Sequence, residues 1–475
     1  MKAYLLIFLS SITLLNCIDS DFNVVYISNS ENEFTKYSGN IYIEVDISFG
    51  SNEDKFKSEL DITSFLTVVS GVEAKEENIK KFNQSLSSTF IKKRNEHPYY
   101  LEKFYRGIIG EDSIKLGESE SIKDISFAVA TSWSYNINTG CYIGLTFKAQ
   151  QLDLSGLNLL EQLKNHSIIE KQTWYLEFND NNKGKFVVGK YPHEINNKKY
   201  NEEKLYKIDI SRSFSNDYSI EFDEIYYGNI NNYENRYAMK EHLISAISLS
   251  TRLIYCTYVF GEYIYNKFFK KKIEDKICFH DYLKKNDAYS FNYNYYYCNS
   301  DINLSEMENL YFTIRSRNVT FVLEPKDLFY KFNGSLYYLI VYKDYFEEDS
   351  NKDTNWEFGL QFLQKYTLTF NRDDKVLYYY NDDKDSNDNN NNNNGGKDNN
   401  NGGKDNNNES SSSLKYIIII IVLSLFFIGC IAFLIYYIKK IKPRKAKANE
   451  LNEDFDYQAK DNYNNQNDPF AINNN

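Results

Sequence analysis

Alternation of apolar and polar residues dominates the body of the chain. Ile41–Ile47 and Phe56–Leu60 follow the period of two that sends every second side chain to one face, and they read as the two strands of a hairpin. Ile125–Thr131, Gln172–Asp180 with Gly184–Lys190, Tyr218–Tyr227, Leu310–Ile314 and the run beginning at Val319 predict further strands. Leu154–Lys164 instead places Leu157, Leu160 and Leu163 at helical spacing and predicts an amphipathic helix. Glu73–Arg94 is densely charged and predicts a helix or an insertion. Two stretches are apolar almost throughout: Ala3–Leu15, which follows Lys2, and Tyr416–Ile438.

Those two stretches set the topology. Residues 1–17 read as a secretory signal, with cleavage between Cys17 and Ser20. Tyr416–Ile438 is long enough to cross roughly 30 Å of hydrocarbon. Lys439, Lys440, Lys442, Arg444, Lys445 and Lys447 follow it, which places residues 439–475 in the cytosol. The expectation is a single-pass type I protein of the secretory pathway, endosomal or plasma membrane, with a luminal or extracellular ectodomain. Residues 381–413 are Asn-rich and repeat Gly-Gly-Lys-Asp, too polar to bury a core, and predict a disordered stalk. The cytosolic tail carries Asp468, Pro469 and Phe470, which resemble a clathrin-adaptor-binding tripeptide and make an adaptor a candidate partner.

Composition narrows the chemistry. The net charge of −11 argues against a nucleic-acid partner. The 43 Tyr and 33 Phe suit strands. His97, His166, His193, His242 and His280 lack zinc-motif spacing, so neither a metal nor a cofactor is expected. With Cys17 beside the cleavage site and Cys430 in the apolar span, four cysteines remain. An even number in an exported domain predicts disulfides, and Cys278–Cys298, which closes a short loop, is the first choice. Whether Cys141 and Cys256 pair stays open. Glycosylation sequons begin at Asn83, Asn165, Asn303, Asn318, Asn333 and Asn408.

The order of motifs carries a resemblance. Tyr37-Ser-Gly-Asn-Ile-Tyr-Ile-Glu-Val45 precedes Phe56-Lys-Ser-Glu-Leu-Asp-Ile-Thr-Ser-Phe65. Tyr100–Asp112 and Gly140-Cys-Tyr-Ile-Gly-Leu-Thr-Phe147 follow, and Trp356–Val376 closes the series. Residues 37–380 thereby resemble the pepsin-like aspartic proteases. The resemblance implies a mainly β, bilobal fold of two six-stranded-barrel-type lobes, 18–200 and 201–380, with a cleft and a flap. It makes Asp61 the first of two catalytic carboxylates, Tyr100 the flap tyrosine, and Gly144 and Gly359 the glycines of the two ψ-shaped loops. Active members usually carry a longer basic pro-segment, and Asp19–Tyr37 leaves little room for one.

The chain departs from that pattern at the chemistry. Ile62-Thr63 replaces the Thr-Gly after the first Asp, and Leu101 and Lys103 replace flap glycines. Ser248 stands where the second Asp belongs, followed by Leu249 and Ser250, and no Asp occurs between Asp223 and Asp275. The family's hydrolysis needs two carboxylates that share a proton, one acid polarising the carbonyl while the other takes a proton from water. A serine hydroxyl at Ser248 donates a hydrogen bond but does not ionise near neutral pH. Asp61 is then expected to titrate as an ordinary carboxylate, and Thr63 and Ser250 to disturb turns that usually carry glycine. A serine-nucleophile route would need His242 as base. The leading expectation is a proteolytically inactive pseudoprotease holding extended peptide or protein in its cleft. An active or weakly active aspartic endopeptidase is the alternative, and a glycosylated coat or adhesion protein the second alternative.

Overall fold

A computed structural model of the chain describes residues 17–27, 34, 41–98, 104–133, 138–147, 154, 156–210, 218–229, 237–284, 292–343 and 356–380. All of them fall in Met1–Asn390, one of two compact units; the other is Asn391–Asn475. The predicted signal before Cys17, the stalk, the apolar span and the tail with Asp468, Pro469 and Phe470 lie outside the described residues. Among the described residues no helix is long and apolar enough to cross a membrane.

The expected mainly β architecture forms, among the described residues, as two sheets of thirteen and eleven strands. The first sheet runs through both lobes. Its first six strands are, in order, Leu205–Asp209, Val376–Tyr380, Thr369–Asn371, Thr173–Phe178, Lys183–Val188 and Ile18–Tyr26. Three come from each half of the chain and meet at Thr173–Phe178 against Thr369–Asn371, where Phe370 lies opposite Trp174. Their rings stack at 3.9 Å, and Trp174 has no exposed surface. A flat aromatic pair of this kind adds packing energy beyond its area.

From Ile18–Tyr26 the sheet continues into the first lobe through Ile41–Phe49 and Asp54–Asp61, which pair antiparallel as the alternation predicts. Ile41, Ile43, Val45 and Ile47 are buried with Phe56 and Leu60 in one large core. The second lobe is built around Ser219–Tyr227 and Tyr237–Ile247, paired antiparallel.

Three expectations change. Glu73–Arg94 holds no α-helix: it contains the short 3-10 turn Gln84–Leu86, and Ile91–Pro98 is a strand. Phe82 and Phe90 pin the segment onto Phe127, and Ile91 pairs across to Glu111, so long-range partners override local charge. The predicted helix from Leu154 begins at Leu159. Gly156 sits at φ +82 and interrupts it, and Asn158 caps the first turn by accepting from Leu160 N–H. The first strand is Ile18–Tyr26, well before Tyr37, paired to the distant Lys183–Val188.

Candidate active site

Each half of the chain builds the same crossing. In the first, Asp54–Asp61 and Val68–Ser70 flank Cys141–Gly144, parallel on one side and antiparallel on the other, with Asp61 opposite Gly144. In the second, Tyr237–Ile247 and Ile254–Tyr255 flank Trp356–Phe358 in the same way, with Ile247 opposite Phe358. Ser248, the next residue, donates its N–H to Phe358 O at 2.9 Å, one residue before Gly359. A side chain on Gly144 would strike the backbone of Ser64, Phe65 and Leu66 at 2.4–2.7 Å. One on Gly359 would strike that of Thr251, Arg252 and Leu253 at 2.4–2.8 Å. Ser64 and Thr251 lie three residues after Asp61 and Ser248 respectively, so the geometry makes Ser248 the counterpart of Asp61. Only glycine permits that approach.

The two turns differ in what they hold. Asp61 is 5 % exposed and accepts from Thr63 N–H at 2.9 Å, Thr63 Oγ1–H at 2.7 Å and the Ser64 hydroxyl. In the second turn Ser248 Oγ and Ser250 Oγ share a hydrogen bond of 3.0 Å. Thr63 and Ser250, at positions where the turns usually carry glycine, each supply a hydroxyl partner to the residue two before it. The positions between them, Ile62 and Leu249, are buried apolar residues. Both turns line one cavity of about 70 Å³, together with Ile41, Tyr42 and Glu59. Ile41 N–H donates to Ser250 O at 3.1 Å, so the first lobe braces the second turn directly.

The model of the eukaryotic aspartyl protease family matches residues 41–378. The chain belongs to that family. No curated protein matches it.

Within this aspartyl protease fold the flap is the hairpin of Ile91–Pro98 and Phe104–Leu116, with Gly107 opposite His97. Tyr100 falls between those strands and lies outside the described residues, as do Leu101 and Lys103. The strand Tyr237–Ile247 carries His242, whose side chain is likewise not described. The disulfide forms between Cys278 and Cys298, which face each other across Cys278–Lys284 and Asn292–Asn299. Cys141 and Cys256 are both buried and form no disulfide with each other, which answers the question of their pairing. Burial pushes the Cys141 thiol up to about 12, so it stays protonated. Among the described residues no group of three His, Cys, Asp or Glu could hold a metal ion. Asn165, Asn303, Asn318 and Asn333 are exposed, Asn83 is half-buried at the head of the turn Gln84–Leu86, and Asn408 lies outside the described residues.

Three supporting residues escaped the sequence reading. Asn158 donates to Phe65 O and Gly144 O at 2.7 and 3.1 Å, tying both limbs of the first crossing together. Arg372 reaches back from beyond Thr369–Asn371 to Asn158 Oδ1 at 2.7 Å, and its guanidinium lies 5.5 Å over the Phe65 ring. Arg252, 2 % exposed, donates to Tyr26 Oη, Asn181 O and Asn182 Oδ1. The contacts of these two arginines are not legible in the sequence, since their partners are distant in the chain. Glu59 was also missed, although its period-two spacing from Asp61 was visible.

Proposed function

We propose that this member of the aspartyl protease family is a pseudoprotease: a type I membrane protein whose cleft binds extended peptide or protein segments without cleaving them. The observation that carries the reading is Ser248. It stands as the structural counterpart of Asp61, and its hydroxyl is engaged with Ser250 inside its own turn. A lone carboxylate has no second acid to share a proton with, so neither the polarised carbonyl nor the activated water of the two-acid mechanism is available. The family cleft and the preserved crossings at Gly144 and Gly359 support retained peptide binding. The apolar span Tyr416–Ile438 and the basic residues after it support anchoring in a secretory-pathway, endosomal or plasma membrane. On this reading the cytosolic tail meets a clathrin adaptor through Asp468–Phe470, and the sequons carry glycans.

The test is to incubate the purified full chain with a quenched peptide library from acidic to neutral pH, and to measure peptide capture in parallel. Capture without cleavage, reduced by Tyr100→Ala, is expected. Cleavage that disappears in Asp61→Asn would establish an active endopeptidase. Absence of capture together with absence of cleavage would favour the coat or adhesion role.

A further inference from the structure

The strand Cys278–Lys284 is a sheet edge. It pairs antiparallel with Asn292–Asn299 on one side, and among the described residues no strand pairs with it on the other. The register decides which backbone groups face outward. Asn299 N–H donates to Ile277 O at 2.9 Å, so Ile277 and every second residue after it bond inward. Cys278, His280 and Tyr282 therefore turn their N–H and C=O away from the sheet. The Cα atoms of Cys278 and Cys298 are 3.9 Å apart, as the narrow pairs of such a ladder should be. Tyr282 N–H is taken by Asp281 Oδ1 at 2.8 Å. The outward N–H and C=O of Cys278 and His280, and the Tyr282 C=O, bond no other described residue.

The side chains do not protect this edge. Natural edges carry lysine, proline or a bulge to discourage pairing. Cys278–Lys284 has no proline, no register shift, and a lysine only at its last position. Ile277, Phe279 and Tyr282 are 37, 38 and 49 % exposed, which gathers three large apolar groups within six residues. Phe279 also begins a row of rings that crosses the strands. It stacks on Tyr297 opposite at 5.2 Å, and Tyr297 stacks on Tyr337 opposite at 5.3 Å. The outer face of Phe279 meets no described ring. Asp281 shares the side of the strand that carries Phe279. Its carboxylate accepts from Tyr282 N–H and from the Tyr295 hydroxyl at 3.0 Å, both neutral donors, and no described lysine or arginine pairs with it.

We infer that the free edge of Cys278–Lys284 takes an extended segment of a partner protein as an added antiparallel strand, with an aromatic residue opposite Phe279 and a basic residue opposite Asp281. None of these residues lines the cavity between the two turns, and the inference does not depend on peptide binding in the cleft. Main-chain bonds to Cys278 and His280 supply the affinity, and alternate side chains supply the selection. Neighbouring strands lie about 4.8 Å apart, so an aromatic residue opposite Phe279 continues the row at the spacing it already has. In an antiparallel strand the residue opposite Asp281 comes two before the residue opposite Phe279, so the segment reads basic-x-aromatic. A second copy of this chain fits less well: setting Phe279 against its own equivalent places Ile277 opposite Asp281. The Cys278–Cys298 disulfide holds the edge to its neighbour, so little ordering is left to the binding step.

The experiment measures fluorescence anisotropy of the purified full chain with a labelled peptide of threonine and valine that carries arginine-threonine-tyrosine at its centre. Replacing the peptide tyrosine by alanine is expected to weaken binding about tenfold, and arginine by glutamate about threefold. N-methylation of the central threonine, whose N–H faces His280 O, is expected to weaken it at least tenfold. On the protein, Phe279→Ala should remove the preference for tyrosine, and Asp281→Lys should reverse the preference between arginine and glutamate. Tyr100→Ala should change neither. Absence of binding by the parent peptide overturns the inference. So does binding lost in Tyr100→Ala and kept in Phe279→Ala, which would put the peptide in the cleft. Concentration-dependent dimerisation that Phe279→Ala abolishes would give the edge to a second copy and overturn it as well. Should Phe279→Ala fail to fold, the charge reversal at the exposed Asp281 decides alone.

Discussion

Asp61 is satisfied by its own turn. Its carboxylate accepts from Thr63 N–H, Thr63 Oγ1 and Ser64 Oγ. An amide in its place turns two N–H donors toward groups that themselves donate. In a working dyad, removing one carboxylate also removes repulsion from the other, which offsets that loss. Opposite Ser248 there is no such relief. Asp61→Asn is therefore expected to destabilise the fold by about 1–3 kcal/mol, seen as a lower urea midpoint at unchanged slope. A raised midpoint would mean that a second acid faces Asp61 after all. At this scale the sequence was informative about identity and weak about bonding. Asp61 and Ser248 were legible because a motif fixes their place between alternating strands. Thr63 was legible only as an intruder at a glycine position, since its hydroxyl bond to Asp61 depends on a turn conformation that spacing does not encode. Glu59 lies two residues before Asp61 on the same strand, a shared face that the period of two makes legible.

Between elements, the second turn is held by the first half of the chain. Ile41 N–H bonds Ser250 O. Arg252 bonds the Tyr26 hydroxyl at the end of Ile18–Tyr26 at 2.9 Å. It also bonds Asn181 O and Asn182 Oδ1, both at 2.5 Å, in the turn before Lys183–Val188. Phe34 is buried against Tyr337 and Tyr295 of the second lobe, with ring centroids 4.0 and 5.2 Å away. Arg252→Met keeps most of the side-chain length and removes the donors. It is expected to cost about 2–4 kcal/mol, because buried acceptors lose a charged partner. A double-mutant cycle with Asn182→Ala should show coupling of about 1 kcal/mol or more, and additivity would refute the clasp. These contacts also show where element prediction fails. Strands with their own alternation, such as Ile41–Phe49 and Ser219–Tyr227, were legible. Ile18–Tyr26 alternates too, with Ile18, Ser20, Phe22 and Val24 buried on one face, whereas Ile91–Pro98 lacks such a pattern and depends on its pairing with Phe104–Leu116. The helix at Leu159 was placed too early because leucine spacing ran on past Gly156 and the Asn158 cap.

Across the whole molecule, tyrosine is a structural material, and its ionisation is a liability the fold suppresses. Burial pushes Tyr42 and Tyr218 up to about 12. It drives Tyr175 in the central sheet, Tyr191 at the cap of Pro192–Ile195, and Tyr227, Tyr296 and Tyr342 in the second lobe higher still. These groups are neutral acids whose folded values lie above the unfolded value of about 10. Below pH about 10 both states keep the proton, and stability is fully present. Above it the unfolded chain releases protons that the folded chain retains, so stability is lost as pH rises through the folded values. Each such tyrosine contributes about 1.4 kcal/mol of loss per pH unit in that window, and several act together. The urea midpoint should therefore stay level with respect to these groups up to pH about 10 and then fall steeply. Phenolate absorbance should rise in two phases: exposed tyrosines first, and the buried set in step with loss of tryptophan fluorescence from Trp174 and Trp356. If every phenol titrated in one phase near pH 10 with the tryptophan signal intact, the aromatic interior would be open to solvent. The tight lobe junction built on Trp174, Phe370 and Tyr218 would then be wrong.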